Sequence, residues 1–211
     1  MRLGPVLVKK CNACSKLISH VTLASGNTFG ARLWTDAKMD APMMPDLPPL
    51  VLCPHCRTPV WLNELEELPR QNSGSHEEAY PESPGCQSLE VDDYYAMLTG
   101  ERLAAEKERY VRLRAWWAGN DLRRGSEAAT PLTDREKQNI QALLTFMDDA
   151  DDNDRLMKAD ILRELGQMDQ ARAQLETVMG ENLEHIVKFM IVLIERGDTF
   201  VQELPSPRPD R

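Results

Sequence analysis

Apolar residues change their spacing partway along the chain. Up to residue 68 they come in short runs: Val6-Leu7-Val8, then Leu17, Ile18, Val21 and Leu23, then Leu50-Val51-Leu52 and Val60-Trp61-Leu62. Runs this short, separated by turn formers such as Ser25-Gly26-Asn27, predict short strands and hairpins. Phe29 to Thr35, with Trp34 as its largest apolar side chain, predicts one more strand of the same group. From residue 90 the spacing becomes helical. Asp92 or Asp93 can cap a short helix through Leu98, and Leu103, Tyr110, Leu113 and Trp117 recur at helical intervals. Thr133-x-x-Glu136 reads as a capping box ahead of the stripe Ile140, Leu143, Leu144 and Met147. Asn182 to Arg196 predicts a last amphipathic helix, stopped by Gly197. The expected class is α+β: a small antiparallel module, then an all-α part.

Between them, residues 69–89 are dominated by Pro, Ser, Gly, Asn and Gln and predict a flexible linker. Cys86 falls inside it as an expected solvent-exposed thiol, and His76, beside Glu77 and Glu78, as a solvated side chain. The expected organisation is therefore a module over 1–68, a linker over 69–89, a helical domain over 90–204 and a frayed tail over 205–211. Within the module, Ala41 to Pro49 holds four prolines, which fix φ and remove backbone donors. It predicts a stiff, extended connection that lays Met43, Met44 and Leu47 over a small core.

Charge alters the functional expectations. The net charge is -9, yet residues 1–62 carry seven Lys/Arg against three Asp/Glu, while residues 126–211 carry ten against eighteen. An acidic body lacks the basic footprint of non-specific nucleic-acid binding. A nucleic-acid contact, as a second reading, would fall to the mildly basic N-terminal module. Trp116-Trp117 with Arg112, Arg114, Arg123 and Arg124 nearby offers a stacking platform on that reading. On the simpler reading, one Trp is core and the other lies between module and helices. The acidic run Asp148 to Asp154 has the spacing of a calcium loop at Asp149, Asp151 and Asn153. However, Asp154 stands where that loop needs Gly, and Asp160 where it needs Glu, so a solvated turn between helices is expected.

The chemistry lies in the cysteines. Cys11-Asn12-Ala13-Cys14 and Cys53-Pro54-His55-Cys56 are two C-x-x-C turns. Two residues between cysteines let both thiolates face one side of a tight turn, and two such turns supply four ligands to a tetrahedral metal. Zn2+ is the expected ion, with iron the alternative for four thiolates. His55 reads as a knuckle residue rather than a ligand. A chain with five cysteines, four of them in metal-type turns, fits a reducing compartment. With no signal-peptide pattern at Met1 to Lys10 and no bilayer-length apolar run, a cytoplasmic protein is expected.

Two resemblances follow from these residues. The paired knuckles with their flanking hairpins resemble a zinc ribbon, which implies structural metal at Cys11, Cys14, Cys53 and Cys56. Residues 154–180 resemble a tetratricopeptide-repeat unit: Ala159, Leu162, Gly166, Ala171, Leu175 and Val178 fall at its packing positions, and Leu165 to Ala171 looks like its inter-helix turn. That resemblance implies helix-hairpin packing. The whole plan is similar to that of bacterial zinc-ribbon proteins of uncharacterised activity, and it implies no reaction. The expected function is protein–protein interaction, as an adaptor without catalysis. The redox alternative rests on Cys-Pro-His-Cys, which is also the motif of thioredoxin-fold oxidants; there the first cysteine opens a helix. Here Thr58-Pro59 and the strand-like Val60-Trp61-Leu62 follow instead.

Overall fold

A computed structural model describes residues 1–69, 83–125 and 130–205. The chain divides into two compact units: Met1–Ala31 with Asp40–Asp93, and Arg32–Met39 with Tyr94–Arg211. Small antiparallel sheets in the N-terminal part are followed by six α-helices among the described residues, an α+β layout.

The first unit is built on a hairpin of β1 (Arg2–Lys10) and β2 (Leu17–Ser25), paired antiparallel across the first C-x-x-C turn, with Lys10 opposite Leu17. β1 is longer than its apolar triplet suggests. Its outer end is irregular at Gly4-Pro5, where the register shifts between Leu3 and Val6. Pro5 has no N–H to give, and its carbonyl accepts from the Thr22 hydroxyl at 2.7 Å. A Cβ at Gly4 would collide with Thr22 Oγ1, so the close crossing requires glycine there.

A second hairpin, β5 (Leu50–Leu52) with β6 (Pro59–Trp61), flanks the second C-x-x-C turn. A two-residue β7 (Glu66–Glu67) pairs with the free side of β1, with Lys9 bound to Glu67 at 3.2 Å. The core is small: Ile18, Val51, Val60, Leu62 and Leu65 close over Cys11 and Cys53.

Three expectations for this part change. Phe29 to Thr35 is not a ribbon strand. It contributes only β3 (Arg32–Leu33), which pairs with β4 (Met39–Asp40), and residues 32–39 group with the helices. Thr35 N–H donates to the Gln202 carbonyl at 2.9 Å and Leu204 N–H to the Leu33 carbonyl at 2.8 Å, so a distant tail segment supplies the pairing. The proline-rich connection does not bury Met43 and Leu47, which stay exposed. In the expected linker, residues 70–82, with His76, lie outside the described residues. Residues 83–89 pack on β2 and β5: Cys86 N–H donates to the Ser19 carbonyl at 2.8 Å, and Gln87 and Leu52 exchange both backbone hydrogen bonds. Cys86 is therefore half-buried against the core of the first unit instead of exposed.

The helices are α1 (Val91–Thr99), α2 (Ala105–Asp121), α3 (Asp134–Leu143), α4 (Asp152–Glu164), α5 (Met168–Leu175) and α6 (Glu184–Glu195). The capping box forms: Thr133 Oγ1 accepts from the Glu136 N–H, and Glu136 Oε2 accepts from the Thr133 N–H at 2.7 Å. α4 and α5 make a hairpin. Gly166, at φ +77°, ends α4, and Gln167 N–H reaches back to the Leu162 carbonyl at 2.8 Å, which closes the helix end with a left-handed residue. Gly197 ends α6 in the same way, with Asp198 N–H on the Leu193 carbonyl. Ala171 is fully buried, and its small side chain lets α5 lie close to α4.

Two apolar clusters fill the unit: Trp116, Ile140, Leu143, Met147, Met157 and Ile161, and then Leu156, Ala159, Ala171, Leu175, Met190 and Ile194. The acidic run is consumed by structure. Asp151 caps α4 through the Asp154 N–H, Asp154 holds Arg109 and the Asp148 N–H, and Asp152 accepts from the Gly180 N–H. Trp116 is buried, while Trp117 donates to the Asp36 carbonyl at 2.9 Å, within the same unit.

Candidate metal centre

The two C-x-x-C turns have the same local geometry because each must reverse the chain between two strands in very few residues. In the first, Ser15 N–H donates to the Cys11 carbonyl at 2.9 Å and Cys11 N–H to the Lys16 carbonyl at 3.0 Å. In the second, Arg57 N–H donates to the Cys53 carbonyl at 2.8 Å and Cys53 N–H to the Thr58 carbonyl at 3.0 Å. The residue after each second cysteine carries the reversal in the left-handed region: Ser15 at φ 60° and Arg57 at φ 57°. Neither is glycine, so each knuckle holds a mildly strained residue, which persists where the surroundings over-determine it.

The turns face one another. Cys11 Sγ lies 4.0 Å from Cys56 Sγ, and Cys14 Sγ 3.8 Å from Cys53 Sγ. All four sulfurs lie within 4.8 Å of one another. A tetrahedron with metal–sulfur bonds of about 2.3 Å has edges of about 3.8 Å. The separations are far beyond a disulfide, whose sulfurs stand about 2.05 Å apart. The donor set and its spacing thus fit a four-thiolate metal ion. Cys11 and Cys53 are buried at the base of the site, Cys14 is half-buried and Cys56 faces solvent.

The electrostatics differ between the sulfurs. Burial pushes the Cys53 thiol up to about 12, against the amides of Cys56 and His55, which stabilise its thiolate. The hydroxyl and amide of Thr58 bring Cys56 down to about 6, and Cys56 Sγ lies 3.3 Å from that hydroxyl. At Cys14 the Lys16 amide favours the thiolate, but burial and the neighbouring Cys11 and Cys56 thiols outweigh it, so the thiol titrates above its ordinary value. Four close thiols cannot all ionise without a cation among them. A divalent ion would supply that charge and be held by Cys11, Cys14, Cys53 and Cys56.

Every cysteine expected as a ligand is in the cluster, and no other residue type among those described joins it. His55 stands outside it. Its Nε2 pairs with the Leu17 carbonyl at 2.9 Å, which ties the second knuckle to the start of β2. Cys53 opens no helix; the chain leaves the knuckle into β6.

Sequence reasoning missed a groove of about 740 Å³ over the same unit, lined among others by His20, Leu47, Val51 and Cys86. Residues 85–88 form part of its wall by returning to β2 and β5, which no local pattern announces. Burial lowers the His20 pKa, so the ring is neutral there, and burial raises the Cys86 thiol to about 11. The Cys86 thiol is therefore a poor nucleophile at neutral pH.

Among the described residues, no helix is long and apolar enough to cross a membrane. No protein-family model, no curated protein and no solved structure matches the chain.

Proposed function

We propose that the chain is a zinc-binding adaptor: a protein whose N-terminal ribbon is held by one structural Zn2+ on Cys11, Cys14, Cys53 and Cys56, and which acts by binding another protein without catalysing a reaction. The observation that carries the reading is the donor set. Four thiolates at tetrahedral spacing complete the coordination of zinc and leave no position for water or substrate. With the metal assigned to structure, function falls to surfaces. The α4–α5 hairpin, with Gly166 at its turn and Ala171 at its close approach, supports a tetratricopeptide-like packing style for the helical part. The strand that follows Cys56 supports a structural pair over a redox one, because a thiol oxidant draws its low pKa from a helix opening at the first cysteine. Five free thiols fit a reducing, cytoplasmic setting.

The test combines metal content, turnover and partner capture on the full chain. Protein purified without added metal should carry about one zinc per chain, following the four-thiolate rule. It should show no disulfide-reductase turnover. Captured partners should be proteins, retained when salt is raised and lost when the metal is chelated. Iron in place of zinc would change the ion but keep the role. Robust turnover, or binding only to nucleic acid with a steep salt dependence, would overturn the adaptor reading.

A further inference from the structure

One cluster in the helical unit gathers three buried carboxylates, Asp36, Asp160 and Glu164, around only two guanidinium groups, Arg124 and Arg163. Asp36 and Asp160 are 0% exposed and Glu164 is 6% exposed. Arg124 grips Asp36 with both ends of its fork, Nη2 at 2.5 Å from Oδ2 and Nη1 at 3.2 Å from Oδ1. Arg163, itself fully buried, sets Nη2 and Nε at 2.6 and 3.0 Å from Asp160 Oδ1, while its Nη1 donates to the carbonyls of Asp198 and Phe200. Each guanidinium is thus matched by its own carboxylate, and Glu164 is left over.

Its oxygens receive neutral donors: Trp116 Nε1 at 2.9 Å and Asn120 Nδ2 at 3.0 Å. The same Asn120 nitrogen also donates to Asp36 Oδ2 at 3.0 Å. Asp160 sits one turn before Glu164 on α4, fully buried, with the Thr35 hydroxyl favouring its carboxylate.

Other charges nearby do not cancel the excess. Asp198, half-buried, approaches Arg163 Nη1 at 3.8 Å and adds negative charge. Asp121 is held by Arg124 Nε and by Lys38. Arg123 shares with Glu164 a cavity of about 200 Å³, but its guanidinium is occupied by both oxygens of Glu136, at 2.8 and 2.9 Å. Lys137 stands at the same cavity with its side chain toward solvent. Burial, with the charges of Asp160 and Asp36, pushes the Glu164 carboxyl well above the usual carboxylate range, and burial raises Asp160 as well.

We propose that Glu164 carries a proton in the folded protein at neutral pH, because the two guanidinium groups of the cluster are already matched by Asp36 and Asp160. That proton is what lets Asp36, and with it the 32–39 hairpin, dock in the helical unit. The network is a latch that alkaline pH loosens. The hairpin is held there by Asp36 on Arg124 and Asn120, and by Thr35, whose hydroxyl accepts from Arg163 Nη2 and the Gln202 N–H. An ionised Glu164 would set one uncompensated negative charge beside Asp36 and Asp160.

The sign of the linkage is fixed by the direction of the shift. In the unfolded chain Glu164 ionises in the ordinary carboxylate range; in the folded protein it keeps its proton to higher pH. Between those points the folded state binds one more proton, so each unit of rising pH raises the unfolding constant about tenfold, and the slope ends once the folded group ionises. Glu136 and Asp152, whose carboxyls are drawn below their usual range, act at lower pH and with the opposite sign.

The test uses the full, metal-loaded chain. Helical unfolding by denaturant is followed from about pH 6 to about pH 10 for the wild type and Glu164→Gln. The ratio of wild-type to variant unfolding constants should climb about tenfold per pH unit until Glu164 titrates, then level off. A flat ratio overturns the proposal. Because Glu164→Gln places an amide where two donors point and can fail to fold, infrared spectra of the wild type alone provide the second measurement. At about pH 8 ordinary carboxyls are ionised, so the C=O band of an un-ionised carboxyl should persist and vanish at higher pH. Absence of that band overturns the proposal too. For the latch, hydrogen-exchange protection of the Thr35 and Leu204 amides should fall in the same pH window. Protection independent of pH would leave no latch.

Discussion

The two units solve the stability problem in opposite ways. The first unit, the part we read as a ribbon, has a core of a few side chains around two cysteines. An isolated core of that size supplies little free energy, so on the proposed reading a metal held by the four cysteines would do what packing cannot. The helical unit has two apolar clusters, helices closed at defined ends, and buried ion pairs such as Arg163–Asp160 and Arg123–Glu136. There the stabilisation is spread over many contacts. On the proposed reading, the same chain joins a part that would stand or fall with one coordination sphere to a part whose stability is spread over packed helices.

The strongest way to break that comparison is to remove one ligand. Cys53 is fully buried at the base of the site, and serine is a poor ligand for a borderline-soft ion. Cys53→Ser should release the metal and abolish the ordered strands of the ribbon, while the helical circular-dichroism signal remains. Metal content and far-ultraviolet spectra of the variant beside the wild type decide it. A metal-free variant that keeps its ribbon would mean the small core suffices and that the contrast is false. Chelation of the wild type should reproduce the effect, and re-addition of zinc should reverse it.

A large-to-small change in the helical unit should behave differently. Leu175, 1% exposed on α5, packs among Leu156, Ala159, Ala171, Met190 and Ile194. Leu175→Ala should cost about 2–5 kcal/mol, the range for buried leucines, and lower the midpoint of helical unfolding. The metal should stay at wild-type stoichiometry. Loss of zinc from this variant would show that the ribbon depends on the helices, and the division of labour would have to be redrawn.

What was legible in the sequence follows the same divide. The knuckles were readable because C-x-x-C fixes its own geometry: the distance between two ligands is set within one turn, and only their pairing is long-range. Helix α3 was readable from Thr133 and Glu136, and the α4–α5 turn from Gly166, because caps and left-handed stops are local events. The 32–39 segment was not. Trp34 looks like the apolar centre of a ribbon strand, but its partners are Glu203 and the Arg124 guanidinium, which lies 4.8 Å from the ring centre. Gly85 to Gln87 reads as linker, since its composition is polar and its hydrogen bonds go to backbone atoms at Ser19 and Leu52, far away in sequence. Backbone-to-backbone pairing leaves no side-chain trace. The buried carboxylates were hidden for a related reason. Asp160 and Glu164 lie four apart on a helix rich in charge and look like solvated positions until Asp36 and the arginines close over them.

The smallest expected effect comes from the strain inside a knuckle. Ser15 is exposed and sits at φ 60°, a conformation that costs an ordinary L-residue about 1–2 kcal/mol. Ser15→Gly removes that strain but raises the backbone entropy of the unfolded chain, which takes back about 0.4–1 kcal/mol. The net effect should be a gain of between about 0 and 1.6 kcal/mol for the first unit, by the difference of those two terms. In the helical unit such a change would be lost among many contacts. In the first unit, if folding and metal binding are one equilibrium as proposed, it should appear as tighter metal retention, about fivefold for each 1 kcal/mol gained. A competition titration against a chelator of known affinity reads it directly. Weaker retention by Ser15→Gly would mean that the Ser15 side chain supports the knuckle through its own contacts. The strain would then be a by-product of those contacts, and the metal would be holding less of the ribbon than the contrast between the units requires.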